Sequence, residues 1–138
     1  MVIWKRTIDK HISVYPVSSS IFLPVVFSPP GSPVCFHIAL YLPTSGQESK
    51  FVNEISQLRF VIEEIQEKYP DCLLYLRGDC NVNIKNKDRN NIFMNFCSNL
   101  HLKNVPLLHK TYHHFVGEGL FDSNIDVILH SENTPEPC

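Results

Sequence analysis

Asp79 and Asn81 stand two residues apart in Arg77-Gly78-Asp79-Cys80-Asn81, directly after the apolar run Leu73-Leu74-Tyr75-Leu76. A carboxylate beside a carboxamide pairs a negative acceptor with a neutral group that both donates and accepts. That combination suits hydrolysis at phosphorus. The acid takes or orients a proton of an attacking water, while the amide donates to a phosphate oxygen or offers its own oxygen to a hard metal ion. If the strand geometry persists, the two side chains share a face. The same positions also read as a turn, because Gly-Asp and Asn-Val-Asn are turn chemistry.

Two further segments bring polar groups to comparable places. Tyr41-Leu42-Pro43 closes a second apolar run, so its phenol is either a phosphate donor at a strand end or an edge residue of the core. Asp126 lies in the otherwise apolar stretch Ile125 to Leu129. A buried carboxylate needs a partner, so it either accepts structural hydrogen bonds or orients a histidine, as the acid of a catalytic triad does. His130 follows Asp126 by four and shares its face in a regular strand. His113 and His114 are adjacent and point oppositely if extended, which is poor geometry for a shared metal.

The elements that position these groups follow from periodicity and breakers. Val2 to Trp4, Ile12 to Tyr15 and Ile21 to Phe27 predict strands, the last halted by Ser28-Pro29-Pro30-Gly31-Ser32-Pro33. Val34 to Leu42 is nearly continuous in apolar residues, which predicts a strand covered on both faces. Phe51, Ile55, Leu58, Ile62, Ile65 and Tyr69 step by fours and threes, drawing one helical stripe that Pro70 ends. Glu54, Arg59, Glu63, Glu67 and Lys68 lie off that stripe on a solvated face. A second helix fits Asp88 to Leu100 with Asp88 as N-cap, and Ile125 to Leu129 predicts a last strand. Strands alternating with helices give a mixed α/β chain.

With 138 residues the chain has the length of one domain, and 43% hydrophobic content is enough for a real core. Disordered, collagen-like and coiled-coil classes are excluded. A net charge of −2 gives no global basic field, which disfavours a DNA-coating protein without excluding a local basic patch. Five cysteines, odd in number and without a CxxC, argue for free thiols rather than a disulfide framework or zinc site. The longest apolar stretch, Ile21 to Phe27, contains Pro24 and is far too short to span a bilayer, so no membrane association is expected.

Together, Tyr41-Leu42-Pro43, Arg77-Gly78-Asp79-Cys80-Asn81, Lys110-Thr111-Tyr112-His113-His114-Phe115 and Ser123-Asn124-Ile125-Asp126 resemble, in order and spacing, the endonuclease/exonuclease/phosphatase superfamily. The resemblance runs from Val2 to Leu129 and is nearest to the endonuclease domain of non-LTR (LINE-type) retrotransposons. It implies an αββα four-layer sandwich, here incomplete, that hydrolyses DNA phosphodiesters with Mg2+ or Mn2+. Asp79 would activate water, Asn81 would contact the scissile phosphate or a metal, Tyr41 would bond the phosphate, and Asp126 would orient the catalytic histidine. Asp79 and Asn81 form the implied metal set. Thr111, Ser123, Asn83 and His113 would serve the DNA-binding surface, with His113 in a loop facing DNA.

The family's N-terminal Asn and Glu and its C-terminal Ser-Asp-His segment are not found here. The expectation is therefore residues 1–130 as a partial domain, 131–138 as a flexible tail, and a truncated fragment of weak or no activity. The alternatives are a catalytically dead remnant that at most binds DNA, or a phosphatase of the same superfamily. The implied partners are DNA and the rest of a retrotransposon polyprotein, and the implied location is intracellular, nuclear or cytoplasmic.

Overall fold

The computed structural model describes residues 5–82, 86–105, 112–116, 119–123 and 126–134. The expected strand at Val2 to Trp4 lies outside them. A 3-10 segment, Arg6–His11, leads into β1 (Ile12–Val14), β2 (Phe22–Phe27) and β3 (Cys35–Tyr41). Next come α1 (Glu48–Lys68), β4 (Leu73–Asp79), α2 (Lys87–Asn99) and β5 (Leu102–Asn104). The hairpin β6 (Tyr112–Val116) and β7 (Gly119–Ser123) follows, then β8 (Asp126–Ser131). Six strands form one mixed sheet in the order β1-β2-β3-β4-β8-β5, and β6-β7 pair by themselves. β3 and β4 run parallel with α1 as their crossover, while the other neighbours are antiparallel.

The helical stripe predicted from spacing is the one that is buried: Phe51, Ile55, Leu58, Ile62 and Ile65 all face the core. Burying such side chains contributes about 1.5–3 kcal/mol each. They pack with Phe36, Ile38 and Leu40 of β3, Leu74 and Leu76 of β4, Leu129 of β8, and Phe93 and Phe96 of α2 in one cluster. Both helices thus cover the same face of the sheet. The opposite face carries His37, Tyr41, Tyr75, Arg77, Asp79, Asp126 and Ile128, as the alternation along paired strands requires.

This one-sided layering corrects the reading of β3 as covered on both sides, since His37 and Tyr41 are exposed. The apolar run looked continuous because small residues, Cys35 and Ala39, stand between the core-facing ones. The fold class is the expected one, mixed α/β: one helical layer on one six-stranded sheet.

Pro24 lies inside β2, opposite Ile38. The Tyr15 amide donates to its carbonyl at 3.0 Å, so its polar groups face the β1 side, just past the last paired residue of that strand. The missing N–H therefore costs no ladder bond. Tyr15 also clamps this edge, its hydroxyl donating to Glu64 at 2.6 Å while the Lys68 ammonium lies 5.9 Å from its ring.

Other differences from the sequence reading have local causes. α2 is capped by Asn86, whose side chain accepts from the Arg89 amide at 3.2 Å, and not by Asp88. The Lys110 to Phe115 segment is strand from Tyr112 onward rather than a loop, because β-prone Tyr-His-His-Phe-Val precedes Gly117-Glu118-Gly119, a hairpin composition. Residue 131 does not begin a loose tail. Ser131 ends β8, and Thr134 is buried with its hydroxyl accepting from the Leu74 amide at 2.9 Å. Among the described residues no helix is long and apolar enough to cross a membrane.

Candidate active site

Gly78 decides how closely β4 approaches β3. Its φ is +151°, and a β-carbon there would meet the Leu40 carbonyl oxygen at 1.9 Å. Only glycine accommodates that contact. The close approach lets β4 stay in parallel register to its last residue, where Asp79 pairs with Tyr41. On its other side Asp79 pairs with Asp126 of β8. Tyr41, Asp79 and Asp126 thus form one row across three adjacent strands, at the carboxyl ends of β3 and β4, on the face the helices leave uncovered. Directly opposed residues of this kind place their β-carbons about 4.5–5.5 Å apart.

The strand geometry does not persist to Asn81. Its φ is 48°, a left-handed conformation that Asn tolerates better than most residues. The turn carries the Asn81 amide onto the Asp79 carboxylate, with N–H to Oδ1 at 2.8 Å. Its side-chain Nδ2 donates to the Leu42 carbonyl at 2.8 Å. Of the two readings of this segment, the structure shows the turn: an Asx turn in which the Asn81 amide holds the Asp79 carboxylate in one orientation. Asn81 accordingly does not share a strand face with Asp79, because the chain has already turned.

Burial raises the pKa of Asp79, the bond from the Asn81 amide opposes that rise, and the negative charge of Asp126 adds to it. The carboxylate is thereby a better proton acceptor than an ordinary one. Tyr41 is 57% exposed, so its hydroxyl is open to a ligand.

His130 lies on the same face of the sheet as Asp126, but it is buried and committed elsewhere. Its Nδ1 lies 3.0 Å from the Ser131 carbonyl and 2.9 Å from the Thr134 carbonyl. Both partners only accept, so Nδ1 carries the proton, and the ring fastens the turn after β8. Ser123 and His113 occupy backbone positions on β7 and β6, opposite Tyr112 and Asp122 respectively. Thr111 and Asn83 lie outside the described residues.

A residue missed from sequence stands behind the row. Arg89 of α2 is 2% exposed, with Nε 3.0 Å from Glu48 Oε2. Its Nη1 donates to the carbonyls of Pro43 at 2.8 Å and Asn81 at 2.9 Å, and Nη2 donates to that of Thr44 at 3.0 Å. The signal was present, since Arg89 precedes Phe93, Phe96 and Leu100 on the apolar stripe of its helix.

Among the described residues no three His, Cys, Asp or Glu side chains cluster as a ready metal site. Asp79 and Asp126 are two hard carboxylates in one row, and magnesium commonly takes one or two such ligands when phosphate and water complete its shell. The pair fits that minimal role. Asn81 does so only through Oδ1, its Nδ2 being turned toward Leu42.

The mixed α/β fold is shared with solved structures at low sequence identity. Among solved structures it is similar to the endonuclease domain of TRAS1, a telomere-specific non-LTR retrotransposon, with a TM-score of 0.70, 16% identity, and 91% of this chain matched to 58% of that one. It is also similar to TDP2 from C. elegans, with a TM-score of 0.58, 12% identity, and 91% of this chain on 42% of that one. For D. rerio TDP2 complexed with a single-strand DNA product the TM-score is 0.53 at 14% identity, over 83% of this chain and 48% of that one. The chain thus spans about half the length of these structures. No protein-family model matches the sequence, and no curated protein matches it.

Proposed function

We propose that this chain is part of a metal-dependent phosphodiesterase acting on DNA, of the retrotransposon endonuclease kind. The observation that carries the reading is the Tyr41–Asp79–Asp126 row on the open face of the sheet. The similar solved structures support it, one being a retrotransposon endonuclease domain and another a complex with a single-strand DNA product.

In this reading Asp79 accepts a proton from water as the water oxygen bonds to phosphorus. The P–O bond to the leaving strand then breaks, and solvent protonates the departing oxygen. Tyr41 donates to a nonbridging phosphate oxygen, where negative charge grows. Asn81 holds Asp79 in orientation through its backbone amide, a role different from the phosphate or metal contact that the motif implies for its side chain. Burial, with a smaller contribution from the charge of Asp126, keeps the Asp79 carboxylate basic, and the two acids together would hold Mg2+ or Mn2+. When bound, the ion supplies positive charge to the phosphate oxygens. The remainder of a polyprotein would contribute what this half-length chain does not carry.

A second reading, a remnant that binds DNA without cutting it, is favoured by one observation: His130, the histidine nearest Asp126 in sequence, is occupied by two carbonyls. Nicking of supercoiled plasmid with Mg2+ or Mn2+, beside Asp79→Ala and a circular-dichroism check of folding, separates the two. Metal-dependent nicking lost in Asp79→Ala supports the enzyme. Retention of DNA by a folded chain without nicking supports the remnant.

A further inference from the structure

A guanidinium buried at the base of a helix must be neutralised and hydrogen-bonded, or it unfolds the site it occupies. In Arg89 the neutralising charge is Glu48, whose side chain is 52% exposed while that of Arg89 is 1% exposed. An ion pair meant only to join α2 to α1 would lie at the surface beside Glu48. Instead the fork is driven inward, its Cζ over the Phe51 ring and 4.2 Å from the ring centroid, and its remaining donors reach three backbone carbonyls. Two of these, Pro43 and Thr44, follow β3 directly after Tyr41-Leu42. The third, Asn81, follows β4 directly after Asp79-Cys80.

We propose that Arg89 is a positioning residue that locks the loop after β3 to the loop after β4, and so fixes Tyr41 relative to Asp79. The route is short. Arg89 holds the Asn81 carbonyl, the left-handed Asn81 turns its amide onto Asp79 Oδ1, and its side-chain amide returns to the Leu42 carbonyl. A planar fork with five donors makes these bonds at once. A lysine, with a point charge on a flexible stem, does not. This inference rests on the proposed phosphodiesterase reading for its catalytic consequence, but its structural content stands without it.

The test compares the parent chain with Arg89→Lys and Arg89→Gln by amide hydrogen exchange and by turnover of bis-p-nitrophenyl phosphate with Mn2+. The expected result in Arg89→Lys is exchange at the Asn81 amide about tenfold faster, with the ladder amides of Ile38 and Leu76 unchanged. The accompanying loss is ~10–100-fold in kcat with KM held within about twofold, the pattern of misplaced groups rather than weakened binding. Unchanged Asn81 protection in a folded variant overturns the proposal whatever the activity. If the parent shows no turnover, the function reading fails and the exchange result alone decides Arg89. If both Arg89 variants unfold, Glu48→Gln is used, since it perturbs the fork from its exposed end. Faster exchange at Asn81, selectively, is expected there, and none overturns the proposal.

Discussion

Asp79 and Asp126 oppose each other across the antiparallel β4–β8 ladder, on the face of the sheet that neither helix covers. Burial raises the cost of ionising Asp79, and the facing carboxylate of Asp126 adds to it. Asp79→Asn keeps an oxygen to accept the Asn81 amide while removing the charge. We expect it to lose ~100–10,000-fold in phosphodiester cleavage, yet to melt higher than the parent at pH 7. Activity assays and thermal scans on one preparation check both.

The sign of the pH dependence follows from the same pair. The folded state raises the pKa of Asp79 above its ordinary 3.8, so it binds that proton more tightly than the unfolded chain does. The group's favourable contribution is complete below the ordinary value and is lost as the pH rises through the raised one. Relative to Asp79→Asn, the parent is therefore expected to lose stability on going from about pH 3.5 to pH 7. Parallel urea titrations across that range measure it, and a difference that grows the other way would contradict the shift.

Tyr41 is exposed, so its hydroxyl can be removed without disturbing packing. Tyr41→Phe is expected to lower kcat ~10–100-fold, less than losing the acid, because it deletes one donor to the developing charge. The melting temperature should stay within about 1 °C of the parent.

Gly78→Ala is expected to be the most damaging single change in the motif. Its methyl would meet the Leu40 carbonyl oxygen at 1.9 Å, and the backbone there has φ +151°. A cost above ~3 kcal/mol is the scale for such combined clash and strain. Circular dichroism and chemical denaturation of the variant would show it directly.

Four cysteines, Cys35, Cys72, Cys80 and Cys97, are buried as free thiols. Burial pushes Cys35 to about 11 and Cys97 to about 12, and it raises Cys72 and Cys80 as well. In a Cys138→Ser chain at pH 8 these four should resist iodoacetamide in the native state and react on denaturation. Mass spectrometry of the alkylated chain reads the count.

The main elements were legible where one periodicity dominated. α1 announced itself by its stripe, and β2 and β3 by apolar runs ended with proline and glycine. Tyr41 and Asp79 were legible as strand-end groups. The pairing of Asp79 with Asp126 was not, because it depends on β8 lying antiparallel beside β4, a choice made by tertiary packing. Arg89 was missed because a charge on a helix reads as solvated unless its apolar neighbours are given more weight. Asn81 was open between strand and turn, because Gly-Asp and Asn-Val-Asn are turn chemistry beside an apolar strand, and its left-handed backbone and the bond to Asp79 decide for the turn. The pairing of β5 with β8 and the turn after β8 come from contacts with Leu129, His130 and the distant Leu74.

The latch formed by Ser131 and Thr134 bears on how the protein is truncated. The Thr134 hydroxyl meets that of Ser131 and accepts the Leu74 amide, while Ser131 also donates to Asn133 at 2.7 Å. A recombinant boundary drawn after residue 130 would delete the acceptor for a central-strand amide and free the His130 ring at once. The damage would enter at the start of β4, the strand whose far end carries Asp79. Loss of activity in so shortened a chain would then report a fraying strand and say nothing about whether residues beyond 130 take part in chemistry.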